Sequence, residues 1–435
     1  MDNKVAYCVC TYERPEVIRD FFEVSYGILR KNDIDVYIFD SSKGDETREY
    51  VEKFSEEIKV KKVSSEMGLS EKVLRIMEGS IFAEIKDYDY VWISGDANQF
   101  SEEVIRDLLS ALSECSYDMA VLAWLPTLWD EKKTYTDKNV FFKDCCHKMT
   151  LLGSVVMKVS SMFVGVEWEK YFNTILEKPI VDWAINAFYF DRLAELDEFN
   201  GVYLPYRKNG LKYSLKKKTT HWQKRYYEVI CEGWYETIHH LPDCYWDKRA
   251  TVMKIPHMRL DFIGSLYAHR RRGYYSYAVF RKYRDRWENV TIIPKQSLFW
   301  ISIYPRTLLW IRYYIRLYRL LGKMKRLRRR TKRLLIYGAG DNGYMMKCFL
   351  ENHKIAFDGF CCTFKGEKEE YHGYKLYSFE DLGEKVEETG FVLAMTEDNA
   401  IEVITNISES VDFKQILYEP LLYNHVLAEE AGFLF

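Results

Sequence analysis

A short acidic turn follows an apolar strand pattern in the segment YDYVWISGDANQF, residues 88–100. The turn contains Asp96 and Asn98, one carboxylate and one amide, directly after the apolar run that ends at Ile93. Oxygen ligands of this kind bind hard divalent cations such as Mg²⁺ or Mn²⁺, which can in turn be held against a diphosphate. The turn therefore predicts a metal site formed by Asp96 and Asn98. The competing interpretation is an Asx turn, in which these side chains only bind the local backbone or cap the helix expected after Ser101.

The elements around this turn alternate as in an α/β domain. Apolar patterns predict strands at 4–10, 35–40, 59–63 and 90–93, with helices at 16–29, 45–54 and 70–83 between them. Such alternation implies a largely parallel sheet with its functional loops at the carboxyl ends of the strands. The loops 10–15, 40–45 and 94–100 are therefore expected along one edge. Further strands are expected at 119–124, 151–159 and 201–206, and a strong amphipathic helix at 181–194.

Length and composition set broad limits on the class of protein. A chain of 435 residues is long for one domain and indicates two or three units, each with its own core. The formal net charge is −2, but Lys and Arg are concentrated between residues 266 and 333, so a local basic surface is expected. The ten cysteines lack the spacing of a zinc site or a disulfide framework, which favours a reduced, cytosolic protein. The first residues enter a strand pattern at once and are not expected to form a signal peptide.

Two stretches near the start of the chain carry a resemblance to a known family. The segments VAYCVCTYERPEVIRDFFE and VYIFDSSKGDETREYVEKF are similar to the opening of family 2-type glycosyltransferases with the GT-A fold, over about the first 200 residues. The resemblance implies that Thr11 and Tyr12 hold the nucleoside of a nucleotide-sugar donor and that Arg14 approaches its diphosphate. It also implies that Asp40 contacts the base or the ribose. The later segment SSEMGLSEKVLRIMEG resembles a family stretch under the nucleotide, where Lys72 or Arg75 is the expected source of positive charge.

The acidic turn corresponds to the DxD motif of that family. Where the family has two carboxylates, this chain has Asp96 with Ser94 or Asn98 beside it, and Ser41 stands at the second acidic position of the earlier turn. The resemblance implies Mg²⁺ or Mn²⁺ as cofactor, held by Asp96 and Asn98 together with the diphosphate.

The family also places a catalytic base at a helix start late in the domain. Asp182, in EKPIVDWAINAFYF, fits that position, and Trp183 beside it is a candidate to stack on a sugar. The competing interpretation of Asp182 is an ordinary helix N-cap. Asp130 and Glu131, after an aromatic segment suited to carbohydrate binding, are further candidates for the transfer step, and His221 is a candidate late metal ligand or diphosphate contact.

A basic aromatic helix is expected over 306–330. Its cations recur every three or four residues and form one stripe, comprising Arg312, Arg316, Arg319, Lys323, Arg326 and Arg330. The apolar and aromatic residues on its other faces are typical of a helix lying on a membrane surface, with its cations on anionic headgroups. The alternative is a solvated helix that bridges two domains. The arginines make a membrane-spanning helix unfavourable, and no nucleic-acid-binding motif accompanies the charge.

The segment RLLIYGAGDNGYMMKCFLENHKIAFDGF restarts a strand, glycine loop and helix. Gly338, Gly340 and Gly343 form GxGxxG, and Asp358 follows at the spacing of the ribose-binding acid of a dinucleotide fold. The region resembles the small Rossmann-like domains attached to capsule and surface-polysaccharide enzymes. Binding of NAD or another nucleotide and a purely structural role both stay open.

These features predict a three-part α/β protein: a GT-A-like domain at 1–260, a helical basic connector at 261–332 and a Rossmann-like domain at 333–435. The expected function is sugar transfer to a glycan or lipid-linked acceptor in surface-polysaccharide synthesis, inverting and metal-assisted, at the cytoplasmic face of a membrane. Two alternatives stay open: a non-catalytic nucleotide-binding or scaffolding subunit, and an NAD-dependent sugar oxidoreductase or epimerase acting through the C-terminal domain. A homo-oligomer is also an open possibility.

Overall fold

A computed structural model describes residues 3–54, 58–123, 131–206, 211–213, 222–254, 263–365, 369–395, 397–408 and 410–419. The chain divides into two compact units, the first ending at Tyr304 and the second beginning at Pro305. The expected connector 261–332 is therefore shared between the two units. Among the helices that the structure describes, none combines the length and the apolar composition that a bilayer-spanning segment requires.

The first unit is built on a mixed eight-stranded sheet in the order β3-β2-β1-β4-β8-β6-β9-β7, with a separate pair formed by β5 and β10. Its strands are Val5–Thr11 (β1), Asp35–Asp40 (β2), Lys59–Lys62 (β3), Tyr90–Gly95 (β4), Asn98–Phe100 (β5), Met119–Leu122 (β6), Lys133–Tyr135 (β7), Val155–Lys158 (β8), Gly201–Leu204 (β9) and Leu211–Tyr213 (β10).

The helices of the first unit cover the sheet and form the region that follows β10. They are Pro15–Phe21 (α1), Gly27–Lys31 (α2), Glu46–Phe54 (α3), Leu69–Glu78 (α4), Glu102–Glu114 (α5), Lys138–Cys145 (α6), Val159–Met162 (α7), Trp168–Thr174 (α8), Ala184–Glu195 (α9), Trp222–Glu228 (α10), Tyr235–His240 (α11), Lys248–Val252 (α12), Ile263–Arg272 (α13), Tyr277–Lys282 (α14), Trp287–Val290 (α15) and Lys295–Ile303 (α16). Single π-helical turns join α1 to α2 and α10 to α11, and short 3₁₀ helices occur at Ala83–Asp87, Cys146–Met149 and Ile180–Trp183.

The parallel part of the sheet is the part that the sequence alternation predicts. Strands β3, β2, β1 and β4 are all parallel, and β1 is buried along its whole length. A strand covered on both faces is expected to read as a continuous apolar run, as β1 does. Beyond β4 the sheet is mixed, because β8 lies antiparallel to both β4 and β6. The α/β fold class is confirmed, with a less regular second half.

Helix α9 differs from the amphipathic helix expected at 181–194. Its buried residues lie on all of its faces, and they include the polar residues Asn186 and Asp191. The expectation of a strong amphipathic helix was therefore wrong, since a helix surrounded by protein need not keep one polar face.

The second unit is a smaller α/β unit with a six-stranded sheet in the order β13-β14-β12-β11-β15-β16. Its strands are Arg333–Tyr337 (β11), Gly359–Cys362 (β12), Glu370–Tyr371 (β13), Tyr374–Ser378 (β14), Thr389–Leu393 (β15) and Ile416–Leu417 (β16). Its helices are Arg306–Arg330 (α17), Asp341–Asn352 (α18) and Glu397–Ile407 (α19), with 3₁₀ turns at Glu380–Glu388 and Phe413–Gln415. All strand pairs in this sheet are parallel except the edge pair β13 and β14.

The long helix α17 is part of the core of this second unit. Its C-terminal half contributes Leu317, Leu320, Leu321, Met324 and Leu327 to a buried cluster with residues of β11, β12, β15 and α18. Between residues 308 and 318 the helix buries Leu309 and Leu317 but exposes apolar side chains at Leu308, Ile311, Tyr314, Ile315 and Tyr318. The two halves of the helix therefore have different environments.

Candidate active site

The candidate site lies where three neighbouring parallel strands end. Thr11 of β1 pairs in register with Asp40 of β2, and Cys10 pairs with Gly95 of β4. The loops that follow these strands must therefore emerge side by side, at the carboxyl edge where open α/β sheets bind ligands.

Asp96 lies at the centre of this edge and is almost fully buried, with 1% of its surface exposed. One carboxylate oxygen, Oδ2, accepts a hydrogen bond of 2.8 Å from Thr11 Oγ1. The other, Oδ1, forms an ion pair of 2.7 Å with Nη2 of Arg14. The Asp96 backbone N–H also donates to the carbonyl of Cys10. The first loop and the acidic turn are thus joined through a single carboxylate.

Asp40 is fully buried and organises the second loop. Its Oδ1 accepts the backbone N–H of Ser42 at 2.9 Å, and its Oδ2 is 3.4 Å from the ammonium of Lys62. The Ser42 hydroxyl accepts the backbone N–H of Glu13, which ties the second loop to the first. The expected contact of Asp40 with a base or ribose stays a prediction, and Lys62 is a neighbour that the motif comparison did not single out.

Lys72 reaches the same place from helix α4. Its ammonium donates to the carbonyl of Thr11 at 2.9 Å and to the hydroxyl of Ser41, and the residue is 2% exposed. Burial lowers the pKa of Lys72, while the negative charges of Asp40 and Asp96 oppose that shift. Ser41, where the family has an acid, is here a hydrogen-bond acceptor for this lysine.

Tyr12 is the exposed member of the cluster, with 45% of its surface accessible next to the buried Thr11. The following residue, Glu13, has a positive φ of 52°, and its carboxylate accepts the backbone N–H of Lys43 in the second loop. The loop that presents Tyr12 is therefore held by contacts on both sides. An exposed aromatic ring in a fixed loop is suited to stacking on a planar ligand.

Asn98 is buried, and the hydrogen-bond partners of its side chain differ from those of Asp96. The amide nitrogen donates to Ser94 Oγ at 3.0 Å and to the carbonyl of Leu152. Asn98 thus joins the acidic turn to the segment before β8. The side chain of Ser101 caps helix α5 by accepting the Val104 N–H. The interpretation that Asp96 or Asn98 caps this helix is therefore not needed to explain either residue.

These residues as arranged do not fit the expected Mg²⁺ or Mn²⁺ site at Asp96 and Asn98. The Arg14 guanidinium lies 2.7 Å from Oδ1 of Asp96, and Oδ2 of the same carboxylate accepts the Thr11 hydroxyl. The Asn98 side chain is fixed separately, because its amide nitrogen donates to Ser94 and to the carbonyl of Leu152. Within the described residues, no cluster of three or more His, Cys, Asp or Glu side chains is placed to hold a metal ion. Hard divalent cations require six or more oxygen ligands, of which proteins usually supply one or more free carboxylates.

Asp182 lies in the 3₁₀ turn Ile180–Trp183 rather than at a capping position. Its carboxylate accepts a hydrogen bond of 2.8 Å from Nη2 of Arg225, a partner 43 residues away that sequence spacing did not reveal. The neighbouring Val181 carbonyl accepts the hydroxyl of Ser70 at 2.7 Å, and Ser70 lies on α4 two residues before Lys72. Helix α4 therefore connects the turn of Asp182 to the strand-end cluster.

The structure corrects two interpretations of this turn. Helix α9 shows no side-chain cap at its N-cap position, which is Trp183, so Asp182 is not the N-cap. Trp183 is 2% exposed and its Nε1–H donates to the carbonyl of Val229, so it is not placed to stack on a sugar. Asp130 and His221 lie outside the described residues, and Glu131 is exposed.

The glycine loop of the second unit lies between β11 and α18. A side chain at Gly343 would come within 2.0 Å of the carbonyl of Gly338, and one at Gly338 within 2.8 Å of the carbonyl of Ala394, whereas Gly340 faces open space. Asp358 lies before β12, at the end of that strand away from the loop, where it accepts the Leu334 N–H. The structure does not bring Asp358 together with the glycine loop.

Comparison with known proteins gives structural matches only. No protein-family model matches the chain, and no curated protein matches it in sequence. S. aureus TarS 1–349 is 11% identical with a TM-score of 0.38, over 69% of this chain and 90% of that chain. The mannosyltransferase PcManGT from Pyrobaculum calidifontis, in complex with GDP-Man and Mn²⁺, is 11% identical with a TM-score of 0.35, over 70% and 87%.

A third match is a putative nucleotide-diphospho-sugar transferase from Desulfovibrio desulfuricans, 12% identical with a TM-score of 0.29, over 47% of this chain and 80% of that chain. TarS 1–349 has also been solved with UDP and with UDP-GlcNAc.

Proposed function

We propose that the chain is a glycosyltransferase that moves a sugar from a nucleotide-sugar donor to a hydroxyl of a glycan or lipid-linked acceptor. The observation that carries this proposal is the meeting of Thr11, Arg14, Asp40, Lys72 and Asp96 at one sheet edge. These residues come from four separate segments of the sequence, and the family resemblance implies a donor-site role for each of them separately. Their convergence is what a donor site requires.

In the proposed complex, each part of the donor meets a matching surface. The base stacks on the exposed ring of Tyr12, and the diphosphate faces Arg14, with the charge of the buried Lys72 beneath the first loop. A guanidinium forms charge-assisted hydrogen bonds to phosphate oxygens, and these are about twice as strong as neutral ones. The buried Asp40 and Thr11 hold the two loops in position.

The transfer step is proposed to proceed with inversion. The acceptor oxygen bonds to the anomeric carbon as the bond from that carbon to the diphosphate oxygen breaks, and the bonding electrons leave with the diphosphate. Asp182 takes the acceptor's proton, in a position fixed by Arg225. General-base catalysis of this kind contributes roughly 10²- to 10⁴-fold to the rate.

The first experiment tests donor binding and turnover. UDP-, GDP- and TDP-sugars are screened by thermal shift, because a ligand that binds only the native state raises its stability. Slow hydrolysis of any donor that binds is then measured. Absence of both binding and hydrolysis for all three donor classes refutes the proposal.

The second experiment assigns the base. Asp182→Asn keeps an acceptor for Arg225 but cannot take a proton, so kcat should fall roughly 100-fold or more with little change in donor affinity. Glu102→Gln, at an exposed carboxylate of α5, is the matched control. Full activity of Asp182→Asn alongside unchanged donor binding would favour the alternative of a non-catalytic nucleotide-binding or scaffolding subunit.

A membrane surface is the proposed location of the acceptor. The N-terminal half of α17 exposes an apolar row, Leu308, Ile311, Ile315 and Tyr318, beside a row of exposed arginines at 312, 316 and 319. An interfacial helix places such an apolar row among acyl chains and its cations on anionic headgroups. The proposal is therefore a peripheral enzyme at the cytoplasmic face, acting in surface-glycan synthesis.

Vesicle binding tests this location. Ile311→Asp should weaken co-sedimentation with phosphatidylserine-containing vesicles roughly tenfold or more, since a carboxylate is excluded from the apolar layer and repelled by the anionic surface. Ile401→Asp on α19, exposed to a similar extent (59% against 54%), is the control. Equal binding of the two variants contradicts a membrane role for this helix.

For the second unit, NAD or another nucleotide at the glycine loop stays a prediction. Gly338 and Gly343 are explained by close backbone packing within the unit itself. Titration of the full chain with NAD tests the oxidoreductase or epimerase alternative, which tight binding would favour.

A further inference from the structure

Arg14, rather than Asp96, is the charge that an incoming diphosphate meets first. The Arg14 side chain is 29% exposed, whereas that of Asp96 is 1% exposed and lies behind it. A cation that bridged Asp96 to a diphosphate would have to displace the Arg14 guanidinium from Oδ1. The ion pair therefore occupies the position that a metal ion would need.

Arg14 presents a positive charge at the accessible side of this position. The cations Arg14, Lys72 and Lys62 lie among the carboxylates Asp40, Asp96 and Asp45, and Lys62 is 3.4 Å from Asp40 and 3.3 Å from Asp45. In the pair of Arg14 and Asp96, the arginine is the more exposed partner. A diphosphate is attracted by such an exposed cation.

The Arg14 guanidinium is also held for this task. It has five N–H donors in a planar fork, and its Nη2 pairs with Oδ1 of Asp96 at 2.7 Å. Asp96 is itself fixed by the hydroxyl of Thr11 and by its backbone bond to Cys10. A carboxylate held in this way limits the positions of its guanidinium partner, and the Arg14 side chain keeps 29% of its surface exposed.

We propose that Arg14, held in place by Asp96, neutralises the donor diphosphate in place of a divalent cation, so that nucleotide binding and sugar transfer do not depend on added metal. Asp96 is then a positioning residue and not a metal ligand. This inference rests on the proposed function and specifies how its donor site handles charge.

The test uses UDP and GDP as probes, with calorimetric titration of the full chain in excess EDTA and again with Mn²⁺ or Mg²⁺. The inference predicts that the dissociation constant of the nucleotide that binds changes less than about threefold between these conditions. Arg14→Ala should weaken binding about 10- to 100-fold, the range for one or two hydrogen bonds to a charged group. Arg281→Ala, at an exposed position on α14, is the control.

Two further variants separate charge from geometry and guard against misfolding. Arg14→Lys keeps the positive charge but loses the fork, so binding should weaken by an intermediate factor of about three to ten. Asp96→Asn should also weaken metal-free binding, because it releases the guanidinium, and it should create no requirement for metal. Thermal melting of each variant in the same buffer identifies any loss that comes from unfolding.

The outcomes are distinct. Nucleotide binding that occurs only with Mn²⁺ or Mg²⁺, or that is unchanged in Arg14→Ala, overturns the inference and leaves the proposed function standing. Absence of binding of UDP, GDP and TDP under every condition, together with absence of donor hydrolysis, overturns both.

Discussion

Asp191 gives a prediction whose size follows from the structure. This carboxyl group lies on the buried helix α9, 3.8 Å from Nε2 of His240, and near Lys170, Lys248 and Glu195. Burial raises the pKa of Asp191 from its ordinary 3.8 to about 7, a shift that the two lysines oppose. The native state therefore holds a proton that the unfolded chain releases, and that stabilising contribution is lost as the pH rises towards and through 7.

The expected magnitude follows from proton linkage. Between about pH 5 and pH 8 the free energy of unfolding should lose about 2.5 kcal/mol through this one group, at about 1.4 kcal/mol for each pH unit below the native pKa. Asp191→Asn removes the titration. Raising the pH from about 5 to about 8 should therefore lower the unfolding free energy of the wild type by about 2.5 kcal/mol more than that of the variant.

Urea denaturation of both proteins at a series of pH values measures this difference. Asp197→Asn, a change of the same kind at an exposed position just after α9, is the control. The reasoning is refuted if the two variants show the same pH dependence as each other, since burial would then not govern the protonation of Asp191.

Two further predictions concern the second unit. Gly343→Ala should destabilise the protein by about 1–3 kcal/mol or more, because its Cβ would lie 2.0 Å from a backbone carbonyl. Gly340→Ala, in open space, should cost less than about 1 kcal/mol, and equal losses in chemical denaturation would contradict the packing argument. Met324→Ala should cost about 2–5 kcal/mol through the cavity left in the core that α17 shares with the sheet, and a loss under about 1 kcal/mol would show that this half of the helix is not packed.

The positions of the candidate-site residues at the strand ends could be predicted because they depend on the parallel strand order. Once β1, β2 and β4 are recognised as parallel neighbours, their loops must meet at one edge, and the bounds expected for β2 are those observed. Local apolar patterns carry this information. The restart of a strand, glycine loop and helix after the basic segment likewise indicated a separate α/β unit.

The partners of those residues could not be predicted in the same way. The pairing of Asp182 with Arg225 joins segments that only tertiary packing brings together. Residue types alone suggested a metal at Asp96, since the sequence does not show that the Arg14 side chain turns back onto its carboxylate. Asp358 has the spacing of a ribose ligand, but spacing along a chain does not reveal at which end of a strand a residue will lie.

The packing of α17 has a practical consequence for dissecting this protein. A fragment that began at the first strand of the second unit would expose Leu334, Ile336 and Phe349 to water, because the helix side chains that cover that cluster would be missing. The smallest piece with an intact core should instead begin near Pro305. An expression or transplantation experiment must therefore carry the basic helix along, and any affinity of that helix for other molecules will accompany the isolated unit.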